Sequence, residues 1–145
     1  MAAGPAVGRG NHWRHQLAVA PFGSNGEMEL AGVLTLRIGG IAGLYRLNGD
    51  SLDLVVQRDG VTSHPLGTRN LDMGLAGDDQ PELVVFNQPF TELMALRRTI
   101  DGIEKAWETP VGGKVATNFA AEDSAGRIRI GVGREDGVLR IWLMP

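Results

Sequence analysis

Short apolar runs separated by glycine, asparagine and aspartate recur along all 145 residues, and the spacing of the runs predicts strands rather than long helices. The first four runs, at 16–20, 29–37, 41–47 and 51–57, are divided by Gly39-Gly40 and Asn48-Gly49. Glycine and asparagine tolerate the positive φ that tight hairpin turns require. A second set falls at 71–76, 82–86, 91–98 and 103–108, broken by Asn87-Gln88-Pro89 and Asp101-Gly102. A third set, at 115–121, 127–132 and 138–143, turns between Gly133 and Gly137 and reaches Pro145 before any fourth strand. Residues 91–107 also fit a helix, because Leu93, Leu96, Ile100, Ile103 and Trp107 lie at helical spacing. The internal Asp101-Gly102 break favours two strands there.

The sets repeat. Moved forward by 45 positions, Pro65 to Leu96 falls without a gap on Pro110 to Ile141. Pro65 meets Pro110, Gly67 meets Gly112, Asp78 meets Asp123, Leu83 meets Ile128 and Leu96 meets Ile141. Glu29-Leu30 of the first set answers Glu82-Leu83 and Arg127-Ile128, after a longer loop. A period of this size marks propellers and other repeat arrays. The expected fold is therefore all-β, with antiparallel four-stranded units at about 13–60, 61–108 and 109–145. Three propeller-like blades result, the last one incomplete, behind an amino-terminal arm of residues 1–12.

The strand, acidic loop and strand of each unit, with Gly77-Asp78-Asp79-Gln80-Pro81-Glu82-Leu83-Val84-Val85 as its fullest version, resemble the FG-GAP/VCBS class of β-propeller repeat. That resemblance runs from about residue 13 onward and implies blades around a channel, with calcium held in the loop between the first two strands. Here the loops depart from the pattern. The first offers Asn25 and Glu27, the second Asp78 and Asp79, and the third Glu122 and Asp123. Calcium takes six to eight oxygens, so ordinary polar turns are expected and no cofactor is. Three units cannot close a ring of four to eight blades, and an open array leaves apolar end faces. Either the chain is a piece of a longer propeller or it assembles with further copies or another protein, and association at those faces is the expectation.

Composition narrows the chemistry. A formal net charge of −3 gives no basic face for nucleic acid. The one basic cluster, Arg9, His12, Arg14 and His15, reads as a solvated terminal arm. Without cysteine there is no disulfide, thiolate site or thiol nucleophile. The first residues are not a secretion signal and no run is long enough to span a bilayer. A cytoplasmic protein is expected from the chain as written, and an extracytoplasmic one if it is a fragment.

No catalytic site is expected. His12, His15 and His64 lack a carboxylate or thiolate partner in sequence, and no serine stands in a nucleophile elbow. Thr62-Ser63-His64 is the polar cluster that breaks the repeat, and so the place where an enzyme would differ from a scaffold. Trp13, Trp107 and Trp142 suit packing between sheets better than stacking on a sugar, although a carbohydrate-binding propeller stays open as a reading. The expected function is a non-catalytic binding or assembly module. Its expected association surface is Val138, Ile141, Trp142, Leu143 and Met144, on the last strand. The alternative is an enzyme or carbohydrate binder whose site forms only in a closed ring.

Overall fold

A computed structural model describes residues 3–5, 13–36, 39–64, 81–118, 120–123 and 127–143. These residues are all-β, with no helix among them, so no helix is long and apolar enough to cross a membrane. Ten antiparallel strands follow in order: β1 Trp13–Ala20, β2 Glu29–Leu36, β3 Gly39–Asn48, β4 Ser51–Thr62, β5 Glu82–Asn87, β6 Glu92–Arg98, β7 Ile103–Pro110, β8 Ala120–Asp123, β9 Ile128–Gly133 and β10 Leu139–Leu143. The helical reading of 91–107 gives way to β6 and β7, hydrogen-bonded across Thr99-to-Gly102. The expected strand at 71–76 and the loop at Asp78-Asp79 lie outside the described residues.

The units are not separate sheets. β1 to β7 form one seven-stranded sheet in sequence order, and β8 to β10 a second of three strands, with no closed propeller. The join between the first two units is made by β4, which runs to Thr62 rather than stopping near Gln57. Its last residues pair with β5, Val61 opposite Asn87 and Thr62 opposite Phe86. The corner needs a bulge. Gly40 pairs Val61 and Ile41 pairs Asp59, so Gly60 is the extra residue on β4, at φ 83°. A glycine in this left-handed region bends the strand and increases its twist, which carries Val61 from the first unit to the second.

Folding at this corner stacks the strands in three layers. Ala31, Val33, Ala42 and Leu44 of β2 and β3 form one core with Leu83, Val85, Met94 and Leu96 of β5 and β6. The opposite face of β5 and β6, through Val84, Phe86, Leu93 and Ala95, forms a second core with Ile130 and Val132 of β9. Both faces of the middle layer are thus buried. This is why Leu83 to Phe86 is a continuous apolar run and not an alternating one. Ala3 to Pro5, from the expected arm, lie beside β4, with Ala3 exchanging backbone hydrogen bonds with Asp50 and Leu52.

Two sequence equivalences change in three dimensions. The first strand of the third unit begins at Ala120, and Val115 makes only an isolated bridge to Arg134. Thr117 interrupts the ladder there, its hydroxyl accepting the Gly133 N–H. The 45-residue match holds through β9, where Ile128 and Ile130 face the middle layer as Leu83 and Val85 face the first. It fails in β10. Leu83 pairs Leu96, yet Gly131, not Ile128, pairs Ile141. The slip is an odd number of residues, and an odd slip sends every side chain of a strand to the other face. Leu96 is buried and its sequence counterpart Ile141 is 64% exposed.

Candidate functional site

The outward face of the third layer is the main apolar surface on which the sequence expectation and the geometry can be compared. Alternation along β10 turns Leu139, Ile141 and Leu143 to one side and Arg140 and Trp142 to the other. Leu139, Ile141 and Leu143 are 66%, 64% and 54% exposed. Their neighbours across the ladder are Gly133, Gly131 and Arg129. The two glycines leave the aliphatic side chains standing over a flat strip. Val138, just before the strand, is also exposed. Trp142 instead packs on the second core, because its parity in β10 matches the inward Ile130. Met144 lies outside the described residues. Leu139 belongs to the same exposed row and was not among the expected surface residues.

A second cluster gathers polar residues that are far apart in sequence. At the end of β4, Thr62, Ser63 and His64 are all buried, and Ser63 is fully so. His15 on β1 approaches them. The Ser63 hydroxyl lies 3.2 Å from the His15 Nδ1 and 3.2 Å from the His64 Nδ1. The two rings meet edge to face, with centroids 5.8 Å apart. One hydroxyl can donate to one ring and accept from the other, so both contacts are satisfied when the imidazoles are neutral. Burial, followed by the neighbouring His15, holds the His64 pKa below the ordinary histidine value. Thr62 donates to the His64 carbonyl and closes the turn. The Ser63 hydroxyl, fully buried, has no open side for a substrate. The arrangement joins the corner of the sheet to β1. His12 lies outside the described residues.

Between the first and middle layers sits a buried carboxylate. Glu29, whose side chain is fully buried, accepts from Arg46 Nη2 at 2.6 Å. Its other oxygen faces Arg98 Nε at 3.7 Å. Glu27 joins from the β1–β2 loop, 3.5 Å from Arg46 Nη1. Register explains the arrangement: Glu29 and Arg46 flank the Leu30–Tyr45 pair, and Arg98 shares the inner face of β6 with Met94 and Leu96. The second unit repeats the pair, with Glu82 opposite Arg97 and in ion-pair contact with it. Glu82 also accepts from the Trp107 indole at 2.8 Å. Beside this network a cleft of about 420 Å³ opens between the Pro21-to-Gly26 loop, Pro81, Arg97 and Arg98.

The loops from which the family resemblance would expect calcium ligands are otherwise engaged where described. Glu27 accepts the Asn25 N–H at 3.0 Å, and that backbone bond is the main cause holding its carboxyl below the usual range. Glu122 pairs with Arg129 across β8 and β9 at 3.5 Å. Among the described residues no group of three or more histidine or acidic side chains is placed to hold a metal ion. Trp107 and Trp142, both partly buried, pack on the second core. No protein-family model, curated protein or solved structure matches the chain.

Proposed function

We propose that this chain is an assembly module that associates through β10, the last strand of its third layer. The observation that carries this reading is the row of Leu139, Ile141 and Leu143, more than half exposed, on a strip flattened by Gly131 and Gly133. The facing surfaces of the three layers are covered by one another, in the manner of repeat arrays whose units bury their cores against neighbours. An uncovered row of three aliphatic side chains marks a contact surface more readily than scattered single ones do.

The units are read as propeller-type repeats similar to the FG-GAP/VCBS class. Two features support this. In the first two units the same faces of the second and third strands meet the following layer, Ala31, Val33 and Leu44 in one and Val84, Phe86 and Leu93 in the other. A glutamate heading the second strand also pairs with an arginine on the third in both, Glu29 with Arg46 and Glu82 with Arg97. An enzymatic role would draw on the His15–Ser63–His64 cluster, where the full burial of the Ser63 hydroxyl weighs against it. A carbohydrate platform would use Trp107 or Trp142, and both are committed to packing.

The test is the mass in solution by light scattering over a range of concentration. The chain is compared with a Leu139→Glu, Leu143→Glu double variant. An oligomer that the double variant converts to a monomer of unchanged circular dichroism supports the reading. A wild-type chain that stays monomeric at every concentration removes it.

A further inference from the structure

The strand equivalent to β10 in each earlier unit has a neighbour that β10 lacks. β3 and β6 are the third strands of their units, and each is paired on its far side by an antiparallel strand, β4 and β7. Among the described residues β10 pairs only with β9 and forms the edge of its sheet. An unpaired edge presents a row of backbone N–H and C=O groups that accept another strand. Native edges are blunted by lysine, proline or inward-pointing charge. The five residues of β10 carry no lysine and no proline, and Arg140, on the inner side of the strand with Trp142, is the one device of this kind they hold.

We infer that the partner is a second copy of this chain, whose β10 occupies the fourth-strand position antiparallel to the first and in a register centred on Ile141. This rests on the assembly reading above and adds the partner, the symmetry and the register.

Three observations select that register. First, a two-fold axis at Ile141 uses the whole strand, pairing Leu139 with Leu143 of the partner subunit and Ile141 with Ile141 of the partner subunit. All six aliphatic side chains then line one face as three cross-strand pairs, an arrangement that stabilises antiparallel sheets. Second, Arg140 falls opposite Trp142 of the partner subunit on the other face, so no like charges oppose one another and each guanidinium has an aromatic neighbour. Moving the axis to Arg140 sets the two arginines directly opposite, which is unfavourable. Third, an axis between residues would mix aliphatic Ile141 with Arg140 on one face, against the alternation of β10. The strands in the equivalent places, β4 and β7, are also antiparallel to their neighbours, as the two-fold requires.

The experiment exploits the absence of cysteine from the chain. Directly opposed residues of an antiparallel pair have Cα atoms about 4.5–5.5 Å apart, within reach of a disulfide. An Ile141→Cys variant is expected to oxidise to a covalent dimer at least tenfold faster than a Leu139→Cys variant. In this register position 139 lies about 13 Å from position 139 of the partner subunit. Mixing Leu139→Cys with Leu143→Cys chains should yield the mixed disulfide. Light scattering of the uncrosslinked wild type should rise with concentration to twice the chain mass and no further.

A wild-type oligomer that Leu139→Glu, Leu143→Glu dissociates, but in which Ile141→Cys does not bridge, overturns the edge pairing and leaves the assembly reading standing. A species larger than two chains has the same meaning. A monomer at all concentrations overturns both.

Discussion

Replacing Glu29 by methionine tests whether the buried carboxylate holds the first two layers together. Its side chain is fully buried, and Arg98 opposite is only 7% exposed. Without Glu29, the Arg98 guanidinium keeps one protein hydrogen bond among those described, Nη1 to the Gly102 carbonyl at 3.3 Å. A buried cation left without its anion costs about 3–5 kcal/mol, a large part of the ~5–15 kcal/mol that stabilises an ordinary domain. Arg46 adds little to this loss, since it is more than a third exposed and can turn to Glu27 and water. Arg98→Met should cost less, because Glu29 retains its 2.6 Å bond from Arg46. The double variant should be milder than the two single changes together, since exchanging both members of a buried pair for apolar groups is often close to neutral. Urea denaturation measures all four proteins, with the midpoint shifting at constant slope. The expected coupling is about 2 kcal/mol or more, outside the ~0.5 kcal/mol scatter of independent sites. A loss below ~1 kcal/mol for Glu29→Met, or simple additivity in the cycle, refutes the reasoning.

The remaining expectations concern the corner and the cores. Gly60→Ala forces a side chain into the left-handed region at φ 83° with nothing within 4 Å of the new Cβ, so the loss should be backbone strain alone, about 1–2 kcal/mol. Gly40→Ala should cost more, about 2–3 kcal/mol, because its Cβ would sit 2.1 Å from the Val61 carbonyl oxygen and push the corner open; thermal unfolding ranks the two, and the opposite order would show the bulge to be misread. Phe86→Ala, at a fully buried position of the second core, should lose about 3–5 kcal/mol, and a loss under ~1 kcal/mol would mean that the third layer is not packed there. His64 has a folded pKa below its unfolded value, so the unfolded chain binds more protons and stability must fall as pH drops below the unfolded value of ~6.5. The full contribution is present above that pH, and the loss levels off once pH passes below the folded pKa. His64→Gln should flatten the slope between pH 7.5 and 5 in urea titrations; equal slopes for the two proteins would remove His64 as its source.

Most strands were legible because each depends on residues next to one another. Glycine or asparagine turns such as Asn48-Gly49 and Asp101-Gly102 end the runs locally, and β2, β5, β6 and β10 fall within one or two residues of their expected bounds. The unbroken apolar run Leu83 to Phe86 already carries the signature of a layer buried on both faces. Thr62-Ser63-His64 was likewise visible as a break in the repeat, but its partner was not. His15 is 48 positions away from Ser63 and reaches it only because β1 and the end of β4 share the inner face of the folded sheet.

What tertiary structure alone decided comes from long-range register. Asp59-Gly60 reads as the end of a unit, yet the bulge there sends β4 on into the next one, since a left-handed glycine can either close a turn or bend a strand and only the pairing of Val61 with Asn87 selects which. The burial of Glu29 needs Arg46 from across one ladder and Arg98 from another layer, so no local window contains the reason for it. The exposure of Ile141 turns on the same physics. A gapless repeat aligns it with buried Leu96, and an odd slip in one hairpin moves it, with Leu139 and Leu143, from core to surface. Composition and spacing determine which residues can form strands; the face each strand shows is a cooperative property of the pairing, because every side chain on it changes sides together.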